Sequence, residues 1–462
     1  MGKFQKIKGM QDFLPTDTSK WQYVEKTLID TAELYGFKEI RVPILEQTEV
    51  FTGAVGETSD VVQKEMYTLI DKGDRSLTLR PEMTAGVVRS VIENGLLNES
   101  LPLKLCYIGP CFRQEKPQAG RFRQFHQFGI ESFGSNDPSS DAEVIALAQD
   151  VLRMVGIENV KLVINSIGCP DCRPKYLEEL KKYFYEYKDQ LDGDSLKRID
   201  LNPMRILDSK VPTTQEIVKN APKPADYLCD DCKNHFDGVK NYLSYLNIDY
   251  KVDENLVRGL DYYTNTVFEL ISGEIGSQSA VAGGGRYNPL VKRMGGKDTP
   301  ALGFAMGIER LIMAMDSADA EIPEERKCEI YFASVGDIAS KKAFELAHKL
   351  REEGFYAEYD NMGRGLKAQM RYANKIGAHY TIVLGEDELI KGVGKIRNMK
   401  TGKETELPLN DVLVDFLYNV QLSDAMEELG ESVDEIGFTN VDLSVVSEFV
   451  KENKDLDKKE FL

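Results

Sequence analysis

Apolar and polar positions follow two rhythms along the chain, one helical and one of strands. The helical spacing from Ser19 to about Tyr35 stops at Gly36, and "KEIRVPILE" then reads as a strand interrupted by Pro43. "SLTLRPEMT" reads as another strand, with a helix opening near Glu82 and running through Val87 and Val88. "LKLCYIGPCFR" and "RQFHQFGIESF" are extended runs joined by a Gly-containing loop, a pattern that favours an antiparallel hairpin. From about 168 to 250 the texture is charged and mostly helical. The strand-and-turn style then returns in "LVRGLDYYTNTVFEL", "AVAGGGRYNPL" and "ALGFAMGIERLIMAM". The middle stretch therefore reads as an insertion.

An acidic linker, "DSADAEIPEER", leads to a last unit beginning "CEIYFASVG". There Ala343, Leu346, Ala347 and Leu350 share one helical face, and Gly354 follows as a C-cap. Strand "FYAEYD", helix "GLKAQMRYANKIGA" and strand "YTIVLG" complete an alternation that predicts a small α/β domain with a partly parallel sheet. A chain of 462 residues exceeds the roughly 250 to 300 at which single cores stop growing, so several domains are expected. No apolar run approaches the ~18 residues needed to span a bilayer. The start, "MGKFQKIKGMQDFLP", lacks a signal peptide's apolar core and a myristoylation pattern, so a cytoplasmic location without membrane attachment is expected.

The net charge of −18 argues at first against a nucleic-acid partner. Its distribution changes that picture. Residues 421–462 hold twelve Asp and Glu against four Lys, a net of −8. In contrast, Arg113, Lys116, Arg121 and Arg123 surround one turn beside a single Glu, and Arg364, Lys367, Arg371 and Lys375 lie in a stretch with no acid. Two positive patches survive an acidic background.

Strand parity puts Gln127, Gly129 and Glu131 on one face and His126, Phe128 and Ile130 on the other. A Glu is rarely buried alone, so the first face suits a polar, cationic ligand; a solvated sheet face is the plain alternative. The same parity would group Thr78, Arg80, Glu82 and Thr84, with Pro81 disturbing the register. His126, opposite Gln127, reads as structural. Arginines 113, 121, 258 and 310 all fall in or beside turns. Guanidiniums in that number imply a polyanion, and neither a Walker A lysine nor a dinucleotide glycine fingerprint is present. ATP on an antiparallel sheet is the reading that charge and parity support.

These residues resemble a known family. "FRQE" with its basic loop is similar to motif 2 of the class II aminoacyl-tRNA synthetases, "GFAMGIERL" to motif 3, and the Pro43 region to the weaker motif 1 of the dimer interface. "LVRGLDYY" and "AGGGRYN" resemble the two signature peptides of the histidyl-tRNA synthetases. With "TLRPEMTAG", "RQFHQFGIE" and the C-terminal "GRGLKAQMRYANKIGAHYTIVLGEDEL", the likeness covers nearly the whole chain to about 420. One departure stands out: Asn288 and Pro289 follow "GGRY", where the family usually has Asp-Gly, and altered turn geometry is expected.

The resemblance implies an α+β fold: a class II antiparallel sheet flanked by helices (1–326), carrying a helical insertion (about 168–250), an α/β anticodon-binding domain (327–420) and an acidic extension (421–462). It implies formation of histidyl-adenylate from L-histidine and ATP with Mg²⁺, then transfer to tRNA(His), in a homodimer. Arg113 and Arg258 would be catalytic at the α-phosphate. Glu115, Arg121 and Arg310, with Arg113, would hold ATP. Glu82, Thr84, Gln127, Glu131, Arg258, Tyr262, Tyr263 and Tyr287 would hold histidine. Lys116, Gln118 and Arg123 would face tRNA. Two rivals stand beside this reading: the family's non-catalytic relative that regulates histidine biosynthesis, and a binding module on a degenerate synthetase fold. Residues 327–420, the four arginines and Glu82 argue against both.

Cysteines form a separate pattern. Cys169 and Cys172, with Cys229 and Cys232, make two C-x-x-C pairs, which in a cytoplasmic protein suggest tetrahedral zinc better than disulfides. Four reduced thiols are the alternative. Cys106, Cys111 and Cys328 read as core residues. The tail "DAMEELGESVDEIG" and "DLSVVSEFVKEN" reads as short acidic amphipathic helices.

Overall fold

The computed structural model describes residues 4–56, 58–273, 280–410, 413, 414, 417, 418 and 421. The expected helices of the acidic tail lie outside the described residues. The chain divides into units at Met1–Pro323 and Glu324–Leu462.

In chain order the first unit holds strands β1 (Lys38–Glu39), β2 (Leu45–Gln47), β3 (Tyr67–Ile70), β4 (Ser76–Leu79), β5 (Leu103–Phe112), β6 (Gln124–Phe133), β7 (Val160–Ser166), β8 (Tyr250–Val252), β9 (Thr264–Ser272), β10 (Ala280–Arg286) and β11 (Ala301–Gly307). Eight of them form one sheet in the order β1-β5-β6-β11-β10-β9-β7-β8. Its interior pairs are antiparallel, and only the short edge strands β1 and β8 pair in parallel. The expected hairpin is β5–β6, in register from Leu103↔Phe133 to Phe112↔Gln124. Pro43 falls where the chain leaves this sheet, since β2 pairs instead with β4 in a three-stranded sheet ordered β2-β4-β3. Proline has no N–H to continue a ladder.

The two faces of the large sheet differ as parity predicts. Phe128, Ile130, Phe304 and Phe268 pack with Val24, Leu28, Ile145 and Leu311 under the helices Pro15–Leu34, Pro138–Met154 and Ile308–Ser317. Tyr107, Cys111, Val267 and Tyr287 face the other way, toward the helix Thr84–Glu93 and the helices of 168–250. The first helix starts at Pro15, earlier than its apolar spacing indicates, because proline suits the first helical position. Pro289 does the same for the helix Pro289–Arg293, while the Asn288 side chain accepts from the Ala301 N–H at 3.1 Å.

One expectation fails in part. Thr78, Arg80, Glu82 and Thr84 do not share a strand face, because β4 ends at Leu79 and Pro81 breaks the register. Thr78 meets the Thr48 and Thr68 hydroxyls at 2.9 and 3.0 Å, and Arg80 turns inward to donate to the Val42 and Pro110 carbonyls at 2.7 Å each. Glu82 and Thr84 instead sit at the start of the helix Thr84–Glu93.

The second unit contains β12 (Ile330–Ser334), β13 (Ala357–Tyr359), β14 (Tyr380–Leu384), β15 (Val393–Asn398) and β16 (Glu404–Pro408), ordered β13-β12-β14-β15-β16. β12 is parallel to both neighbours and the rest are antiparallel, so the sheet is partly parallel as expected. Helix Asp337–Glu352 buries Ala343, Leu346, Ala347 and Leu350. Arg364 leaves the anticipated basic set: it donates to Asp360 at 2.9 Å and lies 4.4 Å over the Tyr372 ring. Lys367, Arg371 and Lys375 stay exposed on one stripe of the helix Leu366–Lys375. No described helix is long and apolar enough to cross a membrane.

A buried ion pair joins β10 to its supporting helix. Arg286 is 1% exposed and grips Asp141, 2% exposed, at 2.6 Å, while also donating to the Ser135 and Asp137 carbonyls at 2.8 and 3.0 Å. Arg286→Ala leaves the buried carboxylate to His235, at 3.2 Å, and strands two carbonyls. Chemical denaturation should show about 3–5 kcal/mol lost stability.

Candidate active site

Cleft-facing side chains are positioned by gaps in the sheet. On β5 and β6, Tyr107 pairs with Gly129, and a Cβ on Gly129 would fall 2.4 Å from the Tyr107 hydroxyl. The Tyr107 ring therefore lies over the glycine and reaches Glu131, to which it donates at 2.9 Å. On β11, Gly303 pairs with Glu131 and leaves room for its carboxylate. On β10, Gly283 leaves room for the Arg258 guanidinium. The glycine cluster is a set of slots in the floor for two charged groups.

Glu131, 1% exposed, is the deep end. Besides Tyr107 it accepts from the Thr84 hydroxyl at 2.7 Å and from the Tyr287 hydroxyl. Burial pushes its carboxyl up to about 8 despite those three donors, and the neighbouring Glu82 adds to the rise. Glu82, 3% exposed, accepts from the Thr84 and Ala85 N–H groups at 2.8 Å each, where the helix N-terminus favours negative charge. Burial raises its carboxyl too. Tyr262 packs tilted against Tyr263 and edge-on against Tyr287, with ring centroids 4.7 and 5.5 Å apart. Gln127 accepts from the Cys111 thiol at 3.3 Å along the same strand face. The result is a small polar chamber with two carboxylates and four tyrosine hydroxyls.

The other end is cationic. Arg113 donates to the Pro81 carbonyl at 2.9 Å and lies 5.2 Å over the Phe125 ring. Arg121 meets Glu115 at 3.3 Å across a loop closed by a Gln118↔Arg121 bridge. Arg310 is held by the Gly120 and Ala280 carbonyls at 2.9 and 3.2 Å; burial and then the like charge of Arg121 depress its affinity for its proton. Arg258 pairs with Glu269, yet its Nε is buried without a hydrogen-bond partner among the described residues. Crowded guanidiniums and an orphaned donor both favour an incoming anion.

One cleft is lined by Glu82, Thr84, Arg113, Glu115, Arg121, Gln127, Glu131, Arg258, Tyr262, Tyr263, Tyr287 and Arg310, which brings together every residue expected to hold ATP or histidine. Lys116 and Gln118 are exposed on the loop outside it, and Arg123 is tied back to the Glu115 carbonyl at 3.2 Å. Sequence reasoning missed Tyr107 and Glu269. The lone carboxylate in "TNTVFEL" was a signal for the second, whereas Tyr107 required the hairpin register. His126 is structural as expected: its N–H and ring donate to Glu309 at 2.9 and 3.0 Å, and Phe13 and Trp21 pack on it. The four cysteines of the C-x-x-C pairs converge, with all ligand atoms within 4.8 Å of one another. Cys106, Cys111 and Cys328 are buried.

An antiparallel sheet carrying an arginine-lined cleft between a basic hairpin loop and a Gly-Ile-Glu-Arg helix start defines a class II aminoacyl-tRNA synthetase. Residues 9–311 match the family model described as histidyl-tRNA synthetase, and 329–417 match an anticodon-binding domain. A histidine–tRNA ligase of Halothermothrix orenii is 50% identical over 406 residues, covering 88% of this chain and 97% of that protein. One from Acetivibrio thermocellus is 49% identical over 409 residues, covering 88% and 98%. The apo crystal structure of S. aureus histidyl-tRNA synthetase superposes with a TM-score of 0.77 at 39% identity, covering 90% of this chain and 99% of that one. The chain belongs to the histidyl-tRNA synthetase family.

Glu131 sets a pH signature. Its folded value is raised, so its share of stability is present in acid and is lost as pH climbs toward about 8. In that range the ligand-free protein should lose up to ~1.4 kcal/mol per pH unit through this group, and Glu131→Gln should flatten the dependence in a pH series of denaturant melts.

Proposed function

We propose that the chain activates L-histidine with ATP and passes the histidyl group to the 3′ end of tRNA(His). One observation carries the reading: a single cleft joins a carboxylate-and-tyrosine chamber to an arginine cluster with an unsatisfied buried donor. In the first step the histidine carboxylate attacks the α-phosphorus of ATP, the bond to the β-phosphate oxygen breaks, and pyrophosphate leaves histidyl-adenylate. In the second, a hydroxyl of the terminal adenosine attacks the carbonyl and AMP departs.

Arg113 and Arg258 approach the α-phosphate from two sides and stabilise the charge that builds there. Arg121 and Arg310 hold the outer phosphates, and Glu115 places the adenine and the loop. Glu82 pairs with the amino acid's ammonium with support from Thr84. Gln127, Glu131, Tyr262, Tyr263 and Tyr287 surround the imidazole. Any other amino acid leaves these buried groups unpaired, which gives discrimination of about 10⁴-fold or more without editing.

At the phosphate end Glu115 is matched with Arg121, Glu269 with Arg258 and Glu309 with His126, whereas Glu65, beside Glu115 in the same cleft, has no ion-pair partner among the described residues. Glu65 and Glu115 would be the side chains to help hold a Mg²⁺ brought with the nucleotide, and the ion would neutralise phosphate charge. Lys116, Gln118 and Arg123 meet the acceptor end of tRNA, and Lys367, Arg371 and Lys375 meet the anticodon stem and loop, whose unpaired bases can be read. The enzyme works as a homodimer in the cytoplasm. The regulatory alternative is disfavoured because both signature peptides and the anticodon-binding domain are present.

Pyrophosphate exchange with each of the twenty amino acids tests this: only histidine should support it. Arg258→Ala should slow exchange about 10²–10³-fold. Gly283→Ala should do likewise without unfolding the protein, because the nearest atoms its Cβ would meet are those of the Arg258 guanidinium, the far end of a flexible side chain. Binding of ATP or histidine with no exchange at all would instead favour the regulatory relative.

A further inference from the structure

We propose that Cys169, Cys172, Cys229 and Cys232 hold a structural zinc ion that braces the segment carrying Tyr262 and Tyr263. The ion itself is argued from the cysteines alone; its effect on histidine rests on the reading above that these tyrosines line the amino-acid chamber.

The sulfurs are spaced for a metal. Cys169 and Cys172 Sγ lie 3.5 Å apart, and Cys172 and Cys232 Sγ 3.8 Å. A tetrahedral zinc with Zn–S bonds of about 2.3 Å places its sulfurs roughly 3.8 Å from one another. A disulfide would need about 2.05 Å. N–H groups point at two of the sulfurs: Cys229 N donates to Cys172 Sγ at 3.1 Å and Asn265 Nδ2 to Cys232 Sγ at 3.4 Å. Such donors favour thiolates. Four protein ligands close the coordination shell, which suits a structural ion and leaves no open position for a substrate. Tetrahedral sulfur sites take zinc or iron, and among divalent ions zinc is bound more tightly than ferrous iron.

The site sits where the helical insertion meets the sheet. Each cysteine pair precedes or opens a helix, Arg173–Glu186 and Asp230–Tyr245. Gly168, at φ +72°, makes the turn into the first pair, and a Cβ there would fall 2.9 Å from that of Cys172. From this turn three hydrogen bonds cross to the start of β9: Ile167 N to Asn265 O at 2.9 Å, Asn265 N to Gly168 O at 3.0 Å, and Arg173 Nη2 to Tyr263 O at 2.5 Å. Asn265 holds a left-handed φ of 51°, a conformation asparagine tolerates, and this aims its amide at Cys232. The metal, Arg173 and Asn265 thus form one bracket behind Tyr263.

The test uses the full-length protein purified without added metal, then stripped with a strong chelator and reloaded with zinc. Metal analysis should find about one zinc per chain, and the four cysteines should resist a thiol reagent until the chelator acts. Cys229→Ser, at the exposed ligand, should lose zinc far more readily; should that variant not fold, stripping and reloading the wild type decides alone. Stripping should raise the histidine KM about tenfold, leave the ATP KM unchanged, and reverse on reloading. A reloaded, desalted protein that retains no zinc, one that holds iron, or thiols equally reactive with and without zinc would overturn the site. Zinc bound tightly but without any change in histidine KM overturns the bracing role. Zinc bound in a protein that never exchanges pyrophosphate leaves the site standing and refutes the catalytic reading instead.

Discussion

Glu131 stands on an interior strand of the large sheet with almost no exposure, and a carboxylate in that position destabilises a fold unless its oxygens are met by donors. Three hydroxyls meet them, and each comes from a different part of the chain: Tyr107 from the adjacent strand, Thr84 from a helix start, Tyr287 from the end of the glycine-rich strand. Two neighbouring sheet positions without side chains make this arrangement possible. Gly129 clears the path for Tyr107, and Gly303 clears the space of the carboxylate itself. A larger residue at Gly129 would displace the Tyr107 ring, whereas one at Gly303 would meet the Ile130 backbone carbonyl as well as the carboxylate and so disturb the sheet itself.

The cationic end obeys the complementary rule. Arg113, Arg121, Arg258 and Arg310 would repel one another in an empty low-dielectric cleft, so the structure spreads them over carbonyls, an aromatic ring and two carboxylates. Glu269 is the clearest case, since without it the half-buried Arg258 charge would face the Tyr263 ring and a glycine floor with no carboxylate beside it. These partners hold the guanidiniums in place ahead of any ligand, so that in the proposed reaction little reorganisation would be needed as phosphate charge develops.

Support for this cleft comes from both sides of the sheet. Apolar side chains of alternate parity lock it onto three helices, and the Arg286–Asp141 pair fixes the end of β10. On the cleft side, the helical segment 168–250 contributes Arg173 and the cysteine cluster to the back of the tyrosine segment. The floor of the cleft, with Gln127, Glu131 and the glycine slots, is positioned by hydrogen-bonded register, while Arg113, Arg258 and the tyrosines Tyr262, Tyr263 and Tyr287 stand on the segments that flank those strands.

Alternation of side chains along β6 is a local property, and it alone assigned Gln127 and Glu131 to one face and His126 to a structural role on the other. Helical spacing in the second unit likewise identified Ala343, Leu346, Ala347 and Leu350 as core, because each lies within one short helix. Positions whose meaning depends on a distant partner were not legible in that way. Thr78 and Arg80 parted from Glu82 because Pro81 ended the ladder, and Arg364 left the basic stripe for Asp360 and Tyr372. Tyr107 looked like one more strand residue until the hairpin register set it over Gly129. The chemistry of charged and aromatic residues can be read from their spacing, whereas their partners are chosen by pairing across strands and by burial, which exist only in the folded chain.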